Sequence, residues 1–331
     1  MSTRRILATA LLALLVAPAS GLALDKMTVV HSSISGSQAV LFVTRDARIF
    51  EKHGLDVDIR FIAGGPVAIG ALLAGEAQAV VMAGASSIAA TLGGADAVVI
   101  MALVNTMDHV AFAQRAIQKP ADLKGKKLAV ARFNSADDVA ARFALRRWGL
   151  APVTDVAILQ LGEQPARLTA LRAGRIDLTL IQPPLTALAR KEGFTELAKL
   201  SDLGLEYLQT CVTTTRALIG TRDDLLRRFV RAFAEGIHFY KTHREASMAS
   251  IGKFMKLTDP EAIAEAYTTY ASALTPRLPA PTLRGVQTIL DDLADRDPRA
   301  KSARPEQFVE PRFVRELQES GVIDRLYRPG S

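Results

Sequence analysis

Polar residues that could bind a small molecule stand directly after the predicted strands. Hydroxyl, amide and guanidinium groups can hydrogen-bond a ligand without covalent chemistry, and glycines let a ligand approach the backbone closely. In open α/β sheets, ligands bind beyond the carboxyl ends of the strands, beside helix N-termini whose free N–H groups favour anions. The expected ligand-binding residues are Ser35, Gln38, Gly65, Ser86, Ser87, Asn105, Arg132, Asn134, Ser135 and Gln182.

Arg132 is the clearest candidate for contact with an anion. A guanidinium can hold a carboxylate or a sulfonate through two parallel hydrogen bonds. Several candidates also fit ordinary structural roles. Ser135, with Asp138 three residues later, fits a helix-capping pattern. Gly65 could serve only a turn, Asn105 could end a strand, and Arg132 could lie on the surface, so both interpretations remain open at these positions.

The residue patterns that would mark an enzyme or a metal site do not occur in this sequence. His238 and His243 are five positions apart, which does not place both on one helix face, and there is no H-E-x-x-H motif. There is no G-x-S-x-G elbow and no phosphate-binding P-loop motif. The one cysteine, Cys211, is expected to be a buried core residue. We therefore expect no enzyme, no catalytic residue, no metal and no cofactor.

The segments 54–84 and 149–184 repeat one pattern, and their elements must position the polar loops. Each copy runs strand, loop, helix, glycine, strand. Two short apolar runs joined by a helix are typical of a parallel βαβ unit. Two copies predict two similar α/β lobes with a ligand-binding cleft between them. The predicted strands of the repeat are 57–61, 79–82, 156–159 and 178–181.

Two further strands, 110–114 and 207–215, are expected to cross between the lobes. From Thr221 onward the chain becomes helical, and we expect Thr221 and Asp224 to cap the first long helix. Asp259, followed by proline and glutamate, predicts the start of another helix. The expected domains are a signal peptide at 1–23, a first lobe made of 24–109 plus 216–331, and a second lobe of 110–215 that includes the crossing strands.

The first residues have the pattern of a secretory signal peptide. Arg4 and Arg5 precede an apolar run at 6–16, and Ala19 or Ala23 would allow cleavage. The run is shorter than the roughly 17–25 residues that cross a bilayer. Because the single cysteine is far from the cleavage site, we expect neither an internal disulfide nor a lipid anchor. The expected product is a periplasmic protein, and we expect it to be a monomer.

Composition and charge exclude some partners. The chain is 49% hydrophobic and 23% charged, so it can bury a large core and is not a disordered chain. Its formal net charge is +7, but the basic residues are interspersed with acids, as in the run Arg222-Asp223-Asp224. No basic stripe with interleaved aromatic residues occurs, which nucleic-acid binding would require. We therefore expect no nucleic-acid partner.

Four short segments carry a resemblance to a known family. They are FEKHGL at 50–55, AGEA at 74–77, DLKGK at 122–126 and RAFAEG at 231–236. Together with the order of elements, they resemble the nitrate/sulfonate/taurine group of ABC-transporter substrate-binding proteins, which includes relatives of the thiamine-pyrimidine-type binding proteins. The resemblance implies an α/β, type II periplasmic-binding-protein fold, in which two doubly wound lobes are joined by two crossing strands and close about a hinge. A helical region follows at the C-terminus.

The resemblance and the polar loops together predict an extracytoplasmic solute-binding protein. It would capture a small organic anion, such as a sulfonate or a carboxylate, between its lobes and deliver it to an ABC permease in the inner membrane. One alternative is pyrimidine-precursor binding, or an enzyme resembling the pyrimidine-synthesising relatives, although their cysteine-rich motif is absent here. Another is a sensor that presents bound ligand to a receptor on the same fold.

Overall fold

The computed structural model describes residues 23–203 and 206–328. The signal peptide expected at 1–23 lies outside these residues, apart from Ala23. In the described part of the chain, the strands form two five-stranded sheets. The strands are β1 (Asp25–His31), β2 (Leu55–Phe61), β3 (Ala79–Met82), β4 (Val98–Thr106), β5 (Val110–Ala113), β6 (Lys127–Val130), β7 (Ala157–Gln160), β8 (Leu178–Ile181), β9 (Thr195–Lys199) and β10 (Glu206–Thr214).

The two sheets have the same arrangement of strands. The first has the order β2-β1-β3-β10-β4, and the second has the order β7-β6-β8-β5-β9. In the first sheet, β10 runs antiparallel to β3 and β4. In the second sheet, β5 runs antiparallel to β8 and β9. Each sheet therefore holds one reversed strand among strands that are parallel to one another.

Helices cover the sheets and continue into a helical C-terminal region. The α-helices are α1 (Ala39–Asp46), α2 (Ile49–Lys52), α3 (Gly65–Leu73), α4 (Gly84–Leu92), α5 (Ala136–Arg147), α6 (Gln164–Arg172), α7 (Leu185–Lys191), α8 (Arg216–Thr221), α9 (Asp223–Thr242), α10 (Arg244–Met255), α11 (Pro260–Tyr267), α12 (Leu283–Leu293), α13 (Arg312–Glu319) and α14 (Val322–Leu326). A π-helical segment, Thr268–Leu274, follows α11. Shorter 3₁₀ turns lie at Gly36–Gln38, Pro120–Leu123, Leu200–Leu203, Pro298–Lys301 and Pro305–Phe308.

The repeated sequence pattern forms two equivalent βαβ units, β2-α3-β3 and β7-α6-β8. Both strands of each unit pair in parallel with one central strand, β1 in the first sheet and β6 in the second. Gly54 and Gly149 open the two copies with φ of +74° and +72°, a left-handed conformation that glycine adopts without strain. The expected fold of two α/β lobes with a helical C-terminal region is confirmed.

The chain passes between the sheets twice, from β4 to β5 and back from β9 to β10. The start of β5 at Val110 agrees with the expected crossing. The strand expected at 207–215 lies entirely in the first sheet, although the sequence assigned that range to the second lobe. The reason is that β10 pairs with β4 from its first residue, where Glu206 lies opposite Thr106.

The start of the long helix α9 also differs from expectation. Thr221 lies in the last turn of α8, and its hydroxyl donates to the carbonyl of Ala217, so it does not cap α9. Asp259 does cap α11, because its carboxylate accepts from the backbone N–H groups of Glu261 and Ala262. No helix among the described residues is long and apolar enough to cross a membrane.

The largest hydrophobic core joins the first sheet to α1, α9 and the C-terminal helices. Phe50, Phe229 and Phe233 are buried there, and the rings of Phe229 and Phe233 meet edge to face at 5.1 Å. Cys211 is fully buried in the neighbouring core, as expected. These cores fix the strands whose ends carry the polar loops.

Candidate functional site

A small polar cavity of about 40 Å³ lies between the two sheets. We call it the central cavity, and residues from both lobes line it. Its lining residues are Ser32, Ser33, Ser35, Ser37, Gln38, Gly64, Gly65, Ala83, His109, Ala131, Ser135, Ala136, Asp137, Glu163, Gln164, Arg167, Gln182, Gln209 and Thr210.

Most of these residues lie in loops that follow the carboxyl ends of the parallel strands. The loops after β1, β2 and β3 face the cavity from the first sheet, and the loops after β6, β7 and β8 face it from the second. The N-termini of α3, α5 and α6 reach the cavity at Gly65, Ala136 and Gln164. Unpaired N–H groups and the positive ends of helix dipoles therefore converge on it.

The two lobes touch across the cavity. The backbone N–H of Gly36 donates to the carbonyl oxygen of Pro183 at 3.1 Å. The N–H of Ile34 donates to Glu163 Oε2 at 3.4 Å, and Ser86 Oγ donates to the carbonyl of Asn134 at 3.4 Å. Because each bond joins a first-lobe residue to a second-lobe residue, the structure has a closed cleft.

Arg167 and Asp137 form a buried ion pair in the wall of the cavity. Arg167 is 1% exposed, and its Nη1 lies 2.6 Å from Asp137 Oδ2. Nη1 also donates to the carbonyl of Gly162, while Nε donates to Thr179 Oγ1 and Nη2 to the carbonyl of Leu180. The Asp137 carboxylate also accepts hydrogen bonds from the N–H of Ala131 and from the hydroxyl of Ser135. Protein groups therefore already neutralise and hold this arginine.

A second network connects the β4–β5 crossing to the cavity through Asp108, which lies between these two strands. Tyr270 donates its hydroxyl to Asp108 Oδ2 at 2.8 Å, and Gln182 Nε2 donates to Asp108 Oδ1 at 2.5 Å. Gln182 and Gln164 also bond each other through side chain and backbone. Burial raises the pKa of Asp108 from its ordinary 3.8 to about 6, against the lowering effect of the two donors. These bonds hold Gln182 in a fixed orientation in the cavity wall.

Three buried polar atoms of the lining have no hydrogen-bond partner among the described residues. They are Gln38 Oε1, Gln209 Oε1 and His109 Nδ1. The three side chains are 3%, 3% and 2% exposed, respectively. Such atoms are rare in folded proteins because each costs about 1–3 kcal/mol when it is left unpaired. Burial lowers the pKa of His109 from 6.5 to about 4, so this ring is neutral at pH 7. A water molecule or a bound ligand in the cavity could pair with these atoms.

Glu163 brings a carboxylate to the same cavity. It is the N-cap residue of α6, and its side chain is half-buried. Burial raises its pKa above the ordinary value, while Arg167 lowers it, Asp137 raises it, and a hydrogen bond with Ser33 lowers it. The cavity therefore combines one guanidinium with the carboxylates of Asp137 and Glu163.

Some of the residues expected from the sequence line the central cavity, and these are Ser35, Gln38, Gly65, Ser135 and Gln182. Ser35 bonds the hydroxyl of Ser37, and Gln38 donates to Ser32 Oγ at 3.4 Å. Ser135 lies at the N-cap of α5 but makes no capping bond. Its hydroxyl lies within hydrogen-bond distance of both the carbonyl of Arg132 and Asp137, and its single hydrogen can be donated to either.

The structure does not place the other expected residues in the lining; these are Ser86, Ser87, Asn105, Arg132 and Asn134. Ser86 and Ser87 are buried in the first turn of α4. Asn105 donates to the carbonyl of Ala280 at 3.1 Å. Arg132 and Asn134 are exposed, and Asn134 Oδ1 accepts from Arg296.

Several residues that line the cavity were not expected from the sequence. Arg167, Asp137, Glu163, His109 and Gln209 belong to this group. Glu163 lies in the polar turn of the second repeat, and Arg167 follows that turn closely. Their position in a loop after a strand could have identified them as candidates for the cavity. Gln209 comes from the reversed strand β10, which only the sheet topology brings to the cavity. Among the described residues, no group of three or more metal-ligating side chains occurs.

The structure thus has two α/β lobes that meet over a polar cavity at their strand ends. A family described as "NMT1/THI5 like" matches residues 37–247, so this chain belongs to the NMT1/THI5-like family. Its membership agrees with the resemblance carried by the short segments.

Known proteins support this assignment. A Brucella abortus protein described as a binding protein is 26% identical over 222 residues, which cover 66% of this chain and 68% of that protein. The periplasmic aliphatic sulphonate binding protein SsuA of Escherichia coli has a TM-score of 0.69 at 20% identity, covering 87% of this chain and 92% of SsuA. The periplasmic nitrate-binding protein NrtA of Synechocystis PCC 6803 has a TM-score of 0.75 at 12% identity, covering 93% and 92%. At these identities, the two solved structures show a shared fold.

Proposed function

We propose that this protein is a periplasmic receptor that captures a small organic anion in the central cavity and delivers it to an ABC permease. The observation that carries the proposal is the cavity itself, since residues of both lobes line it and bonds such as Gly36 to Pro183 join the lobes around it. A ligand that touches both lobes at once would favour the closed form. The related Brucella protein is described as a binding protein.

The anion part of the proposal has its own support. The N-termini of α3, α5 and α6 converge on the cavity, and helix N-termini bind anions well. Solved proteins of this fold bind sulphonate and nitrate. We propose Ser35, Gln38, Gly65, Ser135 and Gln182 as ligand contacts, because they line the cavity with hydroxyl, amide and backbone groups.

A thermal-shift screen of the exported protein would test the proposal, with sulfonates, carboxylates, nitrate, pyrimidines and neutral amines as probes. A ligand at about 1,000 times its Kd stabilises the folded state by about 4 kcal/mol, which gives a clear rise in Tm. We expect the rise with organic anions. Stabilisation only by cations or neutral amines would contradict the anion proposal, and turnover of a bound compound would instead indicate an enzyme.

A variant pair locates the binding site. Gln38→Ala removes a buried amide from the cavity, whereas Gln287→Ala removes an exposed amide on α12. We expect only Gln38→Ala to weaken the binding of a hit, measured by calorimetry. Delivery is tested separately by uptake of the labelled hit in cells that lack this protein, which should fall to the level of cells without the permease.

A further inference from the structure

A second pocket, with a volume of about 350 Å³, lies beside the first sheet and outside the central cavity. This volume falls within the roughly 300–1,000 Å³ of typical small-molecule pockets. Of the residues that the structure describes, none lines both spaces. We call this second space the aromatic pocket. Its lining residues are His31, Ile34, Phe42, Arg45, Phe61, Lys253, Phe254 and Lys256.

The walls of the aromatic pocket come from one lobe. His31 is the last residue of β1, and Phe61 is the last residue of β2. Phe42 lies on α1 and Phe254 on α10, and both helices share the hydrophobic core of the first sheet. A solute can therefore occupy this pocket whether or not the central cavity is filled.

Four rings form the floor of the aromatic pocket. Phe42 and Phe254 stack with their centroids 3.9 Å apart. The ring of His31 lies 5.0 Å from that of Phe42, 5.0 Å from that of Phe61 and 5.5 Å from that of Phe254. Phe61 is nevertheless 44% exposed. Because aromatic rings attract one another at centroid distances of about 4.5–7 Å, this floor suits a further flat ring.

The rim of the pocket is positively charged. Arg45 and Lys253 share the carboxylate of Asp46, at 2.7 and 3.5 Å. Lys256 is exposed and forms no ion pair with any residue that the structure describes. His31 adds no charge at pH 7, because burial lowers its pKa to about 4. Three cations beside one carboxylate leave a positive rim, which attracts anions.

The positive rim decides which ligand the rings can accept. Grouped aromatic rings bind quaternary ammonium ions in other proteins. Such a cation would here meet Lys253 and Lys256, and like charges repel. The guanidinium of Arg45 already lies 5.0 Å from the centre of the Phe42 ring, in the place of a cationic ligand. The ligand must therefore combine a flat apolar body with negative charge.

We propose that the aromatic pocket is a second ligand-binding site, which takes a small aromatic ring that carries an anionic group. The ring packs against Phe61 and Phe254, and the anionic group lies beside Lys256. This site is separate from the central cavity, so its failure would leave the proposed function untouched.

Calorimetry with three probes tests the ligand class. 2-Naphthoate has a ring and a charge, 2-naphthylmethanol has the ring alone, and cyclohexanecarboxylate has the charge without an aromatic ring. We expect 2-naphthoate to bind the native protein about tenfold more tightly than either of the others. Added NaCl should weaken its binding, because salt screens exposed charges. Equally tight binding of either other probe, or no binding of 2-naphthoate, would overturn the proposal.

Two variants of exposed residues locate the site. Phe61→Ala and Lys256→Gln should each weaken the binding of 2-naphthoate by about fivefold. The control for the ring is Phe133→Ala, since Phe133 is 43% exposed and its ring centre lies 5.9 Å from the guanidinium carbon of Arg142. The control for the charge is Lys301→Gln, because Lys301 is also exposed and has no ion pair in the described ranges.

Both controls should bind 2-naphthoate as the native protein does. If Phe61→Ala and Lys256→Gln also bind it with native affinity, the probe occupies another place, such as the central cavity, and the aromatic pocket is not its site. If the controls lose as much affinity as the two pocket variants, the effect is not local and the proposal is likewise wrong.

Discussion

Gly36 and Pro183 meet across the cleft, where the backbone N–H of Gly36 donates to the carbonyl oxygen of Pro183 at 3.1 Å. A side chain at residue 36 has no space. A Cβ atom there would lie 2.7 Å from that carbonyl oxygen and 2.4 Å from Cε2 of Tyr270. The two lobes approach this closely because residue 36 is a glycine.

Replacing Gly36 with alanine should therefore lower the free energy of unfolding by about 1–3 kcal/mol, as overpacked sites do. The control is Gly70→Ala in α3, where a Cβ meets nothing within 4 Å and should stabilise the helix by up to about 1 kcal/mol. Urea unfolding of both variants measures the difference. If the two variants have the same free energy of unfolding, the space between Gly36 and Pro183 can accept a methyl group, and the overpacking argument is wrong.

The ion pair of Arg167 and Asp137 should dominate the local stability of the second lobe. Arg167→Met leaves the Asp137 carboxylate buried without its cation, which typically costs about 3–5 kcal/mol. Arg172 lies on the same helix α6 and pairs with Glu192 at the surface, so Arg172→Met should cost less than about 1 kcal/mol. Urea unfolding of the two variants tests this, and similar losses would contradict the burial argument.

The bond of Tyr270 to Asp108 should make stability depend on pH. The folded-state pKa of Asp108 is raised to about 6 from 3.8, so its contribution is present below pH 4 and is lost as the pH rises through 6. Tyr270→Phe removes a donor that favours the charged form and should raise this pKa further.

We therefore expect Tyr270→Phe to cost about 1.5–3 kcal/mol at pH 8 and less at pH 5. Tyr240→Phe is the matched control, because its buried hydroxyl has no partner in the described part of the chain. Tyr240→Phe should leave the free energy of unfolding almost unchanged at both pH 8 and pH 5. A loss for Tyr270→Phe that is the same at pH 8 and pH 5 would contradict the role of Asp108.

His31 should make the protein sensitive to acid. Burial lowers its pKa from 6.5 to about 4, with a smaller lowering by Arg45, while the hydrogen bond to the carbonyl of Ser33 raises it. A depressed histidine pKa contributes stability above pH 6.5 that is lost as the pH falls toward 4, by up to about 1.4 kcal/mol per pH unit. His109 adds the same trend, and Asp108 opposes it between pH 6 and 4.

Unfolding in urea at pH 6.5, 5.5 and 4.5 measures that slope. We expect His31→Gln to reduce the slope by up to one proton. An unaltered slope in His31→Gln would mean that His31 takes up no proton on unfolding.

The fold could be predicted from the sequence because its signals are local. The two βαβ copies and the cap at Asp259 each depend on a few neighbouring residues, and the structure contains both. The failure at Thr221 is also local, since α8 precedes α9 directly and the apparent cap of α9 is the end of α8.

The candidate site was less predictable, because contacts between distant segments build it. Arg132 has the right chemistry for an anion, but the chain turns at Ser135 and leaves Arg132 exposed. Arg167 is held in the cavity wall by Asp137 from another helix and by Thr179 from β8. Tyr270 comes from the C-terminal region and acts through Asp108, a link that no spacing in the sequence shows.

The position of β10 between β3 and β4 has a consequence for how the chain acquires its structure. All strands of the second sheet lie within residues 110–199, so that sheet can pair completely as soon as this stretch has emerged from the ribosome. The first sheet keeps a gap between β3 and β4 until residues 206–214 follow. Distant pairings form slowly, so the half of the protein that is synthesised first is the half that finishes folding last.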